Sequence, residues 1–245
     1  MDYAPEEMLI VAISRLLTGS RHIAVGVLSP IPGSAALLTR ELASEPVRVS
    51  IIGSRKQPFR TDGGVDLFDS AAQGRLDAFF LSGGQIDGSA NINLVGVGEY
   101  PQQDVRWSGS FGSAFLYYLV PKVILFREEH SRRVLVPKVD FISAPGTSPA
   151  EVHRPGGPVA LVTPLCLFSF DRTRGRFQLE TIHPGHTLEE VQDETGFEFD
   201  VSASLSQTQP PDARALEALR TIIAPQIADP YPRFAERLFG LAAPT

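Results

Sequence analysis

The chain has 245 residues, with 22 Lys and Arg against 28 Asp and Glu, and a formal net charge of −6. Its 43% apolar and 20% charged residues exclude disorder as the main state and fit one large or two small globular domains. The acidic balance with scattered arginines gives no nucleic-acid footprint, and the lone Cys166 excludes an intramolecular disulfide and a cysteine-built zinc site.

The first element is a helix. Pro5 suits its first turn, Glu6 and Glu7 suit the positive end of its dipole, and Met8, Val11, Ala12 and Leu16 recur at helical spacing up to Gly19. Residues 22–28 read as an apolar strand. Ser34 is expected to cap a second helix over 35–43, and 47–52 is the next β-branched strand. A short helix over 67–74 and a strand over 78–81 follow. Further strands are expected at 92–97, 122–126, 134–139 and 159–161, with a helical stretch over 115–119. Thr187 and Glu190 form a capping-box pattern for a helix over 188–193, and Pro211 and Asp212 open a last helix through Ile223. Residues 202–211 read as a polar surface loop.

This alternation predicts an α/β fold with a mainly parallel sheet flanked by helices. Residues 1–224 form the main domain and 225–245 a Pro-rich arm lying on this or another subunit. No basic leader opens the sequence. The longest apolar stretches, 115–126 and 159–170, are too short and too interrupted to span a bilayer. A cytoplasmic protein with a small-molecule or protein partner, and with neither a membrane nor a nucleic acid as partner, is expected.

Two polar, glycine-containing segments are candidates for chemistry. Gly83 and Gly84 follow an apolar run, and Gln85, Asp87, Asn91 and Asn93 come next. In a parallel sheet the carboxyl ends of strands gather at the ligand crevice, where such side chains bind amides, hydroxyls or carboxylates. The same residues also suit a polar turn whose Asp and Asn bond their own backbone. In the second segment, Gly109, Ser110, Phe111, Gly112, Ser113 and Ala114 follow Trp107. Small residues let a substrate approach the main chain, and successive N–H groups form a cradle for an oxyanion. A flexible surface loop is the alternative.

Other signals are weaker. Gly96-Val-Gly98 lacks a third glycine at dinucleotide-binding spacing. His183 and His186 flank a Pro-Gly turn with no third ligand nearby, so no metal is expected. Cys166 lies in an apolar run and reads as an inert core residue. Ser54 stands at a strand's carboxyl end without an adjacent base. Glu99 and Asp87 are the remaining catalytic candidates.

Taken in order, the segments Ser82-Gly-Gly-Gln-Ile-Asp87, Asn91-Ile-Asn93, Ser108-Gly-Ser-Phe-Gly-Ser-Ala114, Ser131-Arg-Arg133, Pro137-Lys-Val-Asp140, Val162-Thr163, His183-Pro-Gly185 and Glu194-Thr-Gly-Phe197 resemble the class I CoA-transferase family. Within it they are similar to the β subunit of glutaconate CoA-transferase. The resemblance implies the family's open α/β fold and a partner α subunit in a heterodimer or heterotetramer. It also implies an active site near the subunit interface. The segment 109–114 would lie at the CoA thioester and supply main-chain donors, and 85–93 would border the acyl pocket. Coenzyme A would enter as part of the substrate, with no covalently bound cofactor. Phe111 stands where the family pattern more often has a small residue.

The resemblance also implies a departure. Family transferases carry a glutamate nucleophile after the strand that matches 47–52, and Gly53 falls at its place here. Glycine has no side chain to attack an acyl-CoA. The expected reaction is therefore decarboxylation or hydrolysis of a dicarboxylic or β-keto acyl-CoA, such as a glutaconyl-type thioester. Two alternatives stay open: a true CoA transferase with its nucleophile supplied elsewhere in the complex, and a non-catalytic scaffold subunit.

Overall fold

The computed structural model describes residues 2–59 and 64–241. They divide into two compact units, one made of the chain's beginning up to Phe80 together with 209 onward, the other of Leu81–Thr208.

The first unit opens with α1 (Pro5–Leu16), whose first turn is closed by the Glu7 carboxylate accepting from the Ala4 N–H at 2.9 Å. Strand β1 (His22–Val25) leads into α2 (Pro30–Leu42), and β2 (Arg48–Ile51) pairs parallel with β1, Val25 opposite Ile51. Helix α3 (Gly64–Ala72) and strand β3 (Ala78–Leu81) follow, β3 parallel to β1 on its other side. The strands are buried apart from Arg48 and Leu81 at their ends and largely apolar, as in parallel sheets generally. Helix α2 begins earlier than Ser34 suggested. Pro30 takes the first turn, and Ser34 sits inside the helix with its hydroxyl donating back to the Pro30 carbonyl at 2.8 Å.

The C-terminal segment returns to this unit. Asp212 caps α6 (Ala213–Ala218) through the Ala215 N–H at 2.7 Å. A π-helical turn, Leu219–Ile223, joins it to α7 (Ala224–Ile227), and α8 (Pro232–Phe239) ends at Gly240. The Tyr231 hydroxyl donates to the Gly26 carbonyl, just past β1, at 3.0 Å, so a residue of the expected arm packs on this unit. Buried Glu7 is met by Arg220 through two 2.7 Å hydrogen bonds, the paired geometry that a carboxylate out of water requires.

The second unit carries two small hairpins. Strand β4 (Gln85–Ile86) pairs antiparallel with β5 (Ile92–Asn93), and β6 (Gly96–Val97) with β7 (Val105–Arg106). Helix α4 (Ser113–Leu119) leads to β8 (Lys122–Phe126). Strand β9 (Pro158–Val162) runs parallel to β8, and β10 (Cys166–Asp171) and β11 (Arg176–Ile182) form an antiparallel hairpin beside β9. Helix α5 (Leu188–Glu194) is capped by the Thr187 hydroxyl, and β12 (Asp200–Gln207) pairs parallel with β11. With the two small hairpins set aside, four described strand pairings are parallel and two antiparallel, so the α/β architecture with a mainly parallel sheet holds.

Three expectations are corrected. Residues 92–97 form parts of two hairpins rather than one strand. Residues 134–139 are irregular, with Val134, Leu135, Val136 and Val139 buried, their backbone bonding locally at Ser131 and across to Ile86. The polar stretch from 202 is the strand β12, because pairing with β11 satisfies its backbone regardless of its polar side chains. Among the described residues no helix is long and apolar enough to cross a membrane.

Candidate functional site

In the second unit the 85–93 hairpin is a saturated polar network. Gln85 Oε1 accepts from Asn93 Nδ2 at 2.7 Å and from the Asp140 N–H at 2.9 Å, while Gln85 Nε2 donates to Asp140 Oδ2 at 3.0 Å. Asp140 Oδ2 also accepts from the Gly98 N–H, and Asn93 Oδ1 from the Val95 N–H. Asp87 is buried. Its Oδ1 accepts from the N–H groups of Ser89 and Asn91, and its Oδ2 from Asn91 Nδ2 and the Val139 N–H. These side chains hold their own turn, and Asp140 joins them from 55 residues away. A cleft of about 590 Å³ opens beside Asp87 and Asn91, with Lys138, Arg174 and Arg176 on its rim.

The 109–114 segment has a different character. Gly109, Phe111 and Gly112 all take positive φ, at +99°, +30° and +70°. Positive φ costs a phenylalanine of the order of 1–2 kcal/mol, so the turn is held against a local preference. Turns of this kind aim successive N–H groups to one side and make anion-binding concavities. The Ser113 N–H is used internally, donating to the Ser110 carbonyl at 2.8 Å. The Ser113 hydroxyl is different: buried, with no hydrogen-bond partner among the described residues. An unpartnered buried hydroxyl costs about 1–3 kcal/mol, which a bound acceptor would recover. Ala114 is exposed, and Phe111 is 79% exposed, its ring turned to solvent.

Tyr117 of α4 ties the two segments together. Its hydroxyl donates to the Ala90 carbonyl at 2.8 Å, and burial holds its pKa well above the ordinary phenol range. Arg154 stacks over the Tyr117 ring at 5.3 Å and donates to its carbonyl. On the other side, a Cβ on Gly84 would stand 2.1 Å from the Trp107 ring, so glycine there lets the indole close against the hairpin.

Other candidates are placed as follows. Gly53 follows β2 with φ +87° and nothing within 4 Å of where a Cβ would be. The Ser54 hydroxyl donates to Asp229 Oδ2 at 2.6 Å and accepts from the Gln57 N–H at 2.9 Å. Glu99 is exposed in the turn between β6 and β7. His183 is buried between Thr208 and the Thr163 carbonyl, whereas His186 pairs with Glu190 at 2.9 Å. Among the described residues no group of three or more His, Cys, Asp or Glu is placed to hold a metal. His130 lies between Thr163 and Thr195, and burial brings both His130 and His183 down to about 4. Burial pushes the Cys166 thiol up to about 12.

A family model described as Coenzyme A transferase matches residues 38–194. The chain is 31% identical to the B-type subunit of 3-oxoadipate CoA-transferase from Pseudomonas knackmussii, over 91% of this chain and 94% of the relative. It is 29% identical to the B-type subunit of glutaconate CoA-transferase from Acidaminococcus fermentans, over 60% of this chain and 56% of the relative. The solved structure of the decarboxylase AibA/AibB superposes with a TM-score of 0.77 at 27% identity, covering 98% of this chain and all of that one.

Proposed function

The chain belongs to the coenzyme A transferase family, and on that premise we propose that it is the B-type subunit of a two-subunit enzyme that decarboxylates a dicarboxylic or β-keto acyl-CoA. The observation that carries this reading is the strained turn at 109–113, with its positive φ angles and the unpartnered buried hydroxyl of Ser113.

The chemistry needs little else from this chain. When a glutaconyl-type thioester loses CO2, the carbon–carboxylate bond breaks and its electron pair is delocalised onto the thioester oxygen. Main-chain donors and a hydroxyl aimed at that oxygen stabilise the charge as it develops. The resulting dienolate takes a proton at carbon from an acid, which the A-type partner supplies. No covalent enzyme–CoA adduct is required, in keeping with Gly53 at the turn after β2. The likeness to a decarboxylase of two named chains supports both the reaction and the partner.

The test uses the copurified two-subunit complex with glutaconyl-CoA, following CO2, free CoA and CoA passed to an added acid. Release of CO2 without an acceptor acid, and no glutamyl-CoA adduct by mass spectrometry, is the expected result. Ping-pong exchange with a free acid establishes a transferase instead, and free CoA without CO2 a hydrolase.

A further inference from the structure

Arg127 is a half-buried cation whose guanidinium lacks a hydrogen-bonded acid. Strands β8 and β9 are parallel, with Phe126 opposite Val162, and the Arg127 N–H donates to the Val162 carbonyl at 3.1 Å. Arg127 therefore stands at the carboxyl end of β8, the end at which ligands bind in parallel sheets. Only Val120 and Pro121 separate α4 from β8, so the strand runs back along the helix. That return brings Arg127 to the same edge as Ser113, the first residue of α4, with both inside the second unit.

The acid that pairs with Arg127 is already committed. Glu129 accepts from the Ser131 hydroxyl at 2.6 Å and from Arg133 Nε and Nη2 at 3.2 and 2.5 Å. It meets Arg127 Nη2 only at 3.7 Å, an ion pair without a hydrogen bond. Glu128 is exposed and acts on Arg127 electrostatically, as does Arg133 with the opposite sign. Arg127 Nε is buried and has no hydrogen-bond partner among the described residues. Burial is the largest influence on the group and holds its pKa below the ordinary value. The side chain is still 27% exposed, so a ligand can meet it. A guanidinium drawn out of water needs acceptors, and a carboxylate or phosphate offers the oxygen pair that its planar edge fits.

We propose that Arg127 is an anion-recognition residue of the thioester site, taking a pair of oxygens from a carboxylate or phosphate of the acyl-CoA. The two sources are the distal carboxylate of the acyl group and the phosphates of the CoA moiety. The proposal rests on the acyl-CoA reading for the identity of the ligand, but the unpartnered guanidinium does not depend on it.

Calorimetry on the two-subunit complex compares wild type with Arg127→Gln for glutaryl-CoA, butyryl-CoA and glutaryl-pantetheine, and for free glutarate and pyrophosphate. A loss of about tenfold or more is expected, the scale of one charge-assisted pair. If Arg127 holds the distal carboxylate, both glutaryl thioesters weaken and butyryl-CoA is spared. If it holds a phosphate, both CoA thioesters weaken and glutaryl-pantetheine is spared. Arg127→Lys, which keeps the charge without the planar pair, should recover only part of the loss. Equal weakening of all three thioesters overturns the proposal, as do unchanged affinities; a lower thermal midpoint alongside unchanged affinities marks Arg127 as a structural partner of Glu129. Glutarate or pyrophosphate binding that depends on Arg127, with no thioester bound by wild type, keeps the anion site and removes the acyl-CoA reading. No binding of any probe overturns both.

Discussion

Ser54 and Asp229 lie 175 residues apart in the chain and share a hydrogen bond of 2.6 Å, through which the C-terminal segment holds the turn that follows β2. Burial works to raise the Asp229 pKa. The Ser54 hydroxyl and the Lys56 and Arg55 amides outweigh it, so the carboxyl ends below its ordinary value. The stabilisation is therefore present above the unfolded carboxyl's pKa and is lost as pH falls through the folded one.

Asp229→Ala is expected to release the Arg55 and Lys56 amides to faster hydrogen exchange and to lower stability by about 1 kcal/mol. Asp229→Asn keeps an acceptor oxygen and should fall between the two. Unchanged exchange at both amides in Asp229→Ala would show that the clamp is not what orders the turn.

Ser113→Ala separates a ligand-directed hydroxyl from a structural one. Because the hydroxyl has no partner among the described residues, its removal should leave the thermal midpoint unchanged or slightly higher. Turnover of the thioester should fall about tenfold or more, the scale of one lost donor to a developing oxyanion. A drop in stability with unaltered kcat would place the hydroxyl's role in folding.

Gly84→Ala tests the contact between the hairpin and the indole. The added methyl would stand 2.1–2.4 Å from three Trp107 ring atoms, so the ring must swing outward. Trp107 is the sole tryptophan, so its emission reports directly. A red shift is expected, together with weaker thioester binding, because Ser108 and the 109–113 turn follow Trp107 in the chain. Emission identical to wild type would mean the backbone moves instead.

The buried imidazoles predict an acid-sensitive core. Burial lowers His130 and His183 to about 4 in the folded chain, while an unfolded histidine titrates near 6.5. Between those values the unfolded state binds more protons, so stability falls as pH drops from about 6.5 toward 4, by up to about 1.4 kcal/mol per unit for each group. Urea midpoints across that range should show the slope, and replacing both histidines by Gln should flatten it. A slope unaffected by the replacements would assign the acid sensitivity to other groups.

The elements most legible in the sequence are those whose local signals and tertiary context agree. Helix α1 carries Pro5 and its acidic first turn, and α5 its Thr187 cap; both stand where those residues put them. The β10–β11 hairpin went unread although its pattern is present. Cys166, Phe168 and Phe170 alternate with half-buried Leu167 and Ser169, and Gly175 sits in the turn. A continuous apolar stretch hid that period of two. Strand β12 alternates Val201, Ala203 and Leu205 with serines, but Val201 and Ala203 are exposed, so its stability comes from pairing rather than burial.

For the site, the 109–114 segment was legible because glycines announce unusual backbone angles. Its most telling feature, the buried unpartnered hydroxyl of Ser113, was not, since only packing isolates it. Asp229 was invisible for another reason, and so was the role of Asp140, although Asp140 closes one of the segments that carry the resemblance: they meet their partners across 175 and 55 residues, and no local pattern encodes such meetings. The four polar residues at 85–93 illustrate the converse, since residue type alone could not say that their polar groups face one another.

Because the first unit is assembled from the chain's beginning and its final stretch, with 81–208 threaded in between, β2 and its turn leave the ribosome long before Asp229 does. The turn must wait, unclamped, until residue 229 has been made. Nascent chains halted before residue 229 should therefore show an open, protease-sensitive segment around Arg55 and Lys56, which closes only when the last helices emerge.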